Sequence, residues 1–293
     1  MYYLSLTIIS TASLFILFRI FSNLKIDLFQ SIVWNYVVCS TLGFIIQHEE
    51  LTEALYNKHI ATVITSSLLG SCFLPSFFLI GISTQRAGLT PTTMANKLSM
   101  VIPAGFAIAV GIALFSWFQM LAFAMGIIAI YLVTKKDSSE TIVQKKSFNQ
   151  FLPLFVFISA GLLDLTILYI NQTFATPESG GLFTLHTFLA AAIWGAISLT
   201  ILLTLKKVQF QSKAILSGII LGIPNYFSVY YLLKTLNYFH HDGSFVFPMM
   251  NLCIILITVA VSYFFFKDTF TKKLILGLTL ATTAILILYF NKL

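Results

Sequence analysis

Charge is what this chain has least of. Only 9% of its 293 residues are charged, 58% are hydrophobic, and the mean hydropathy is +0.92. A soluble domain carries roughly a quarter charged residues, so this composition belongs in lipid. Long polar segments are equally scarce, and no connecting loop is long enough to hold a soluble catalytic domain. The three cysteines, Cys39, Cys72 and Cys253, are scattered through apolar stretches. They suggest neither a disulfide framework nor a metal site. No P-loop, HExxH motif, Ser/His/Asp arrangement or glycine-rich dinucleotide fingerprint occurs. The chain is therefore not expected to be an enzyme or to hold a cofactor, and ATP-driven work would need a separate subunit.

What fills the chain is a series of ten apolar stretches: 2–22, 28–47, 60–83, 90–112, 115–134, 151–171, 181–204, 212–233, 243–266 and 272–290. In hydrocarbon every backbone N–H and C=O must be bonded internally. Runs of about 20 apolar residues therefore predict transmembrane helices. The first run has no Lys or Arg ahead of it and no small-x-small cleavage site, so it reads as a helix and not as a signal peptide. The expected fold is all-α, integral to the membrane, with the lipid bilayer as its solvent.

The net charge of +7 does not point to nucleic acid, because the basic residues sit in short loops. Thirteen of the 17 Lys and Arg, from Arg19 and Lys25 to Lys272 and Lys273, lie in loops 1–2, 3–4, 5–6, 7–8 and 9–10. Lys58, Lys234 and Lys292 lie on the other side, and Lys97 is inside a stretch. The positive-inside rule then places both termini outside the cytoplasm.

The ten stretches divide into two fives. The joint is the polar segment Lys135–Asn149, which gives a first repeat over 1–135, a charged linker over 136–150 and a second repeat over 151–293. Gly70 followed by Pro75 in the third stretch matches Gly218, Gly222 and Pro224 in the eighth, and Gly126 in the fifth matches Gly277 in the tenth. A repeat with an odd number of spans must insert upside down relative to its partner, an architecture that suits rocking transporters. Glycine and proline at matching places in spans three and eight predict interrupted helices there, which mark a midplane binding site. Close helix packing is the competing reading of the same glycines.

Two charged residues lie well inside stretches, Lys97 and Asp164. A charge at the bilayer centre costs about 2.5–3.5 kcal/mol on insertion scales, so each is a candidate functional residue. Lys97 is expected to hold a carboxylate or phosphate of a substrate, with Asn96 and Thr93 beside it; snorkelling is the alternative. Thr93 and Lys97 should share a helix face. Asp164 could pair with Lys97, accept a proton during transport, or bind a substrate amine. Asn225 and Tyr226 follow Pro224, whose missing N–H frees a carbonyl one turn earlier; Asn225 either satisfies that carbonyl or lines a pocket. Asn251 falls in the region of the second half that matches Asn96 and Lys97. Asn35, Tyr36 and His186 are weaker candidates. His240, His241 and Asp242 occupy a short connection, and adjacent histidines point apart, so metal binding is not expected.

The chain resembles the drug/metabolite transporter superfamily in its EamA-type branch. The resemblance runs over nearly the whole chain and is clearest at the end of each half, residues 81–133 and 233–290. There a small-residue loop precedes a helix with a central proline or apolar run, then a short turn and a glycine-led last helix. Phe266-Lys267-Asp268 stands where the family has an acidic turn, whereas Phe115-Ser116-Trp117 in the first half lacks the acid. The resemblance implies a ten-helix carrier of small metabolites in the cytoplasmic (inner) membrane, often an exporter, with both termini cytoplasmic. That orientation opposes the loop charges.

Taken together, these features predict a secondary transporter working by alternating access on a small polar metabolite. An amino acid-like zwitterion or related anion suits one cation and one anion in a cavity. Possible proton coupling follows from Asp164, and a monomer or homodimer is expected. The alternative is a membrane-embedded enzyme or flippase acting on a lipid-linked substrate.

Overall fold

The computed structural model describes residues 2–46, 60–110, 116–134, 148–174, 180–239 and 243–290. These residues are helical, with no strand among them. The helices are α1 (Tyr2–Asn23), α2 (Leu28–Ile46), α3 (Ile60–Arg86), α4 (Leu89–Leu98), α5 (Val101–Ala109), α6 (Trp117–Thr134), α7 (Leu152–Phe174), α8 (Gly180–Thr204), α9 (Ser212–Tyr238), α10 (Gly243–Phe264) and α11 (Lys272–Phe290). Seven helices among the described residues are long and apolar enough to cross a membrane, so the chain is a multi-pass membrane protein. Lys58, most of the charged linker, and His240, His241 and Asp242 lie outside the described residues.

The helices gather into two compact units that each draw on both halves of the sequence. Unit 1 is Met1–Phe78 with Thr166–Thr235, and unit 2 is Leu79–Leu165 with Leu236–Leu293. Within them, helices distant in the chain pair: α2 with α8 in unit 1, and α4 with α10 and α6 with α11 in unit 2.

Unit 1 packs around aromatic residues. Tyr36 of α2 is fully buried between Phe77 and Phe188, and its hydroxyl donates to the Phe73 carbonyl of α3 at 3.2 Å. The glycines of spans three and eight are points of close approach. A Cβ on Gly70 would stand 2.5 Å from the Thr187 carbonyl oxygen of α8, and one on Gly222 2.9 Å from the Asn35 carbonyl oxygen of α2. Ser217, beside Gly218, shares a 2.7 Å hydrogen bond with Ser31. At the start of α2, Gln30 accepts from the Gln211 N–H at 2.9 Å and donates to the Gln209 carbonyl at 2.8 Å, while Gln211 accepts from the Asp27 N–H at 2.6 Å. These two side chains substitute for a backbone ladder between loops 1–2 and 7–8.

These contacts correct the expectation of interrupted helices at spans three and eight. Helices α3 and α9 run continuously through Pro75 and Pro224. Their glycines serve packing, as small residues do when backbones must approach.

Unit 2 has its core at Met94 and Leu98 of α4, Ala129 and Ile130 of α6, Ile255 of α10, and Ala281 and Ile285 of α11. Four loops contain a residue with positive φ: Lys25, Gly88, Lys206 and Lys267. At Lys206 the N–H reaches Leu203 O and the next N–H reaches Leu202 O, each at 3.0 Å, the paired bonds that close a helix C-terminus. A lysine there also complements the helix dipole. All four belong to loops that the charge count assigns to one side.

Candidate functional site

The interruption that the sequence placed in the third and eighth stretches occurs instead in the fourth apolar stretch. Helix α4 ends at Leu98 and α5 begins at Val101, with Ser99 and Met100 between them. Pro103 is the cause. It has no N–H to give to the Ser99 carbonyl four residues earlier, and its ring crowds that carbonyl. Ser99 O is taken by the Ile102 N–H at 2.9 Å, a tighter three-residue turn. The proline itself sits in the first turn of α5, where it is tolerated.

A broken helix leaves carbonyls without partners, and here side chains supply some of them. Ser99, which is buried, donates its hydroxyl to Asn96 O at 2.6 Å. Asn251 of α10 sends one amide proton toward the Lys97 carbonyl at 3.4 Å and the other toward Met100 Sδ at 3.1 Å. Asp164 of α7 brings Oδ2 to 3.5 Å from Ser99 Oγ. A hydroxyl has one proton, and its short bond goes to Asn96, so the contact with Asp164 is at the edge of hydrogen-bonding range. Gly161, one turn before Asp164, admits α7 against α5: a Cβ there would stand 2.8 Å from Ile102 Cβ.

Lys97 and Asp164 therefore share one feature of unit 2, and their charges act on each other. Lys97 and Asn96 are half-buried, while Asp164 keeps an exposed side chain. Thr93 is fully buried and its hydroxyl is bonded to Leu89 O of its own helix at 3.0 Å. Thr93 is thus part of the packing behind Lys97.

Asn225 and Tyr226 belong to unit 1. Asn225 neither caps the carbonyl freed by Pro224 nor stands open. It is buried and donates to Asn35 Oδ1 at 3.1 Å. Cys39 adds its thiol to the same group, donating to Gly222 O at 3.4 Å and lying 3.8 Å from Asn35 Oδ1. Asn35 Nδ2 has no hydrogen-bond partner among the described residues. Tyr226 is buried and stacks on Tyr230, with ring centroids 6.0 Å apart. His186 is half-buried in α8 with its Nδ1 unpartnered among the described residues.

Sequence reasoning singled out the polar residues but not the features that assemble them. The break at Pro103 and the close approach at Gly161 were not anticipated. The signal was present in Pro103, a proline four residues beyond a serine inside an apolar stretch.

No family model matches the chain. An uncharacterized protein of Haemophilus influenzae is 25% identical over 295 residues, covering 99% of this chain and 98% of that protein. A solved crystal structure superposes with a TM-score of 0.57 at 10% identity, covering 98% of each chain. At that identity the likeness concerns the fold alone.

Proposed function

We propose that the protein is a secondary transporter that moves a small polar metabolite across the cytoplasmic membrane, in the direction of export, by alternating access. The observation that carries this reading is the break in span four, with Lys97, Asp164, Asn251 and Ser99 converging on it. Irregular backbone inside a membrane is tolerated where it lines a cavity or is buried in protein, and broken helices in carriers serve substrate and ion sites. The half-buried ammonium of Lys97 is the anchor for a substrate carboxylate or phosphate. The carboxylate of Asp164 takes a substrate amine or a proton. One group of each sign suits an amino acid-like zwitterion.

The finer architecture in this proposal is ten spans as two inverted five-helix repeats, an EamA-type member of the drug/metabolite transporter superfamily. The pairing of α2 with α8, α4 with α10 and α6 with α11 supports it, since each pair joins equivalent helices of the two halves. Loop charges favour both termini outside the cytoplasm.

The test is the extracellular metabolite profile of cells overexpressing the wild type or Lys97→Ala at matched membrane levels. An amino acid-like compound enriched outside only with the wild type is the expected result. Identical profiles from the two proteins would remove the anchor role of Lys97 and, with it, the export reading.

A further inference from the structure

We propose that the C-terminal end of α9 carries a binding site for an organic ammonium group, filled in this structure by the side chain of Lys234. The site lies within unit 1 and does not depend on the transport reading, because it is tested by direct binding.

Tyr226, Tyr230 and Lys234 recur every four residues and so share one face of α9. The Tyr226 and Tyr230 rings stack with centroids 6.0 Å apart and planes 21° apart. The Lys234 ammonium lies 4.7 Å from the centroid of Tyr230 and 5.7 Å from that of Tyr3 on α1. Tyr231 completes the group. It meets Tyr230 edge-on at 5.4 Å and stacks on both Tyr3, at 6.3 Å, and Phe227, at 5.5 Å. A cation within about 6 Å of a ring centroid is attracted by the negative face of the ring, and recognition of ammonium ligands by several rings is the best-attested use of that attraction.

The platform is held in place by its own helices. Thr7 donates to Tyr3 O at 3.0 Å and Thr235 to Tyr231 O at 2.7 Å, and the two hydroxyls meet at 3.5 Å, which ties α1 to α9 beside the rings. Among the described residues, the groups that act on Lys234 are tyrosines, first of them Tyr230, whose side chain also hydrogen-bonds it. A lysine one turn from the end of α9 has the reach to extend its ammonium into the membrane interface. Lys234 folds back onto the tyrosines instead, near the rings of Tyr230 and Tyr3 and hydrogen-bonded to the Tyr230 side chain. A tethered ammonium competes at high effective concentration with any free one, so a free amine binds the wild type weakly and must displace Lys234.

Lys234→Met keeps the apolar stem and removes the charge. Tetramethylammonium is the probe, because it carries no N–H and reports ring faces alone. Titrated into the detergent-purified full chain and followed by tyrosine fluorescence, it should bind Lys234→Met saturably and at least tenfold more tightly than the wild type. In the Lys234→Met background, Tyr230→Phe should retain binding and Tyr230→Leu should lose it, with Tyr3→Leu as the second ring removal if Tyr230→Leu does not fold. No saturable binding to Lys234→Met would overturn the proposal. So would binding that survives loss of the rings, which would make Lys234 an interfacial lysine among ordinary aromatic residues.

Discussion

In unit 1 the polar pair Asn35 and Asn225 is neutral and buried. Asn225 meets Asn35 at 3.1 Å, both are buried, and the helices that carry them run unbroken through Pro224 and along α2. In unit 2 the polar groups include a charge of each sign, and they collect where a helix stops and restarts. Lys97 is half-buried and Asp164 is exposed. The same resources, glycine, proline and a few polar side chains, are spent in opposite ways. Where glycine lets two backbones touch, the polar groups between them must satisfy one another. Where proline opens a helix, its carbonyls recruit side chains, and charged groups gather beside them. In the proposed reading the first arrangement is a frame and the second is the site.

The largest effect that separates them is steric. Gly70→Val would push a side chain into the Thr187 carbonyl, which belongs to backbone and cannot swing aside. Overpacking of this kind costs about 1–3 kcal/mol, and more where backbone must move. Gly105 on α5 in unit 2 has nothing within 4 Å of its Cβ position, so Gly105→Val should be nearly silent. Thermal unfolding of the two purified variants in detergent reads the difference directly. Comparable melting temperatures would mean that Gly70 is not a close contact.

The next effect compares the two polar groups. Leaving one member of a buried hydrogen-bonded pair unsatisfied costs about 1–3 kcal/mol, whereas replacing both with apolar groups of similar shape is close to neutral. Asn225→Leu alone should therefore lower the melting temperature, and Asn35→Leu with Asn225→Leu should restore it, helped by removal of the unpartnered Asn35 Nδ2. The parallel double variant in unit 2, Lys97→Met with Asp164→Leu, should also melt near the wild type but export nothing. Export by the Lys97/Asp164 double variant would erase the distinction between frame and site.

The helices of both units are legible in the sequence because lipid enforces them: apolar stretches about 20 residues long have few other fates. Lys97 and Asp164 stand out for the same reason, as charges where charge is costly. What the sequence reading misjudged was the work of individual prolines. Pro75 and Pro224 looked like interruptions because glycines stood near them, yet those glycines dock α3 and α9 against α8 and α2, and packing holds the helices through the missing bond. Pro103 has no such neighbour: Gly105, two residues on, faces open space. The pairing of Asn225 with Asn35, 190 residues away, is a tertiary contact that no local pattern announces.

The smallest effect, and the finest test of the comparison, is therefore Pro103→Ala. Alanine restores an N–H at position 103, four residues beyond Ser99, and removes the ring that crowds the Ser99 carbonyl. The rejoined helix would recapture that carbonyl and straighten through Ser99 and Met100. Stability should change by less than about 1 kcal/mol in either direction, because alanine favours the helix while proline restrains the unfolded chain. Transport should fall several-fold nonetheless, because a continuous α4–α5 would turn Ser99 away from Asp164 and carry Met100 away from Asn251. Transport by Pro103→Ala at the wild-type rate would mean that the break is incidental, and that Lys97 and Asp164 work from an intact helix, as the polar groups of unit 1 do.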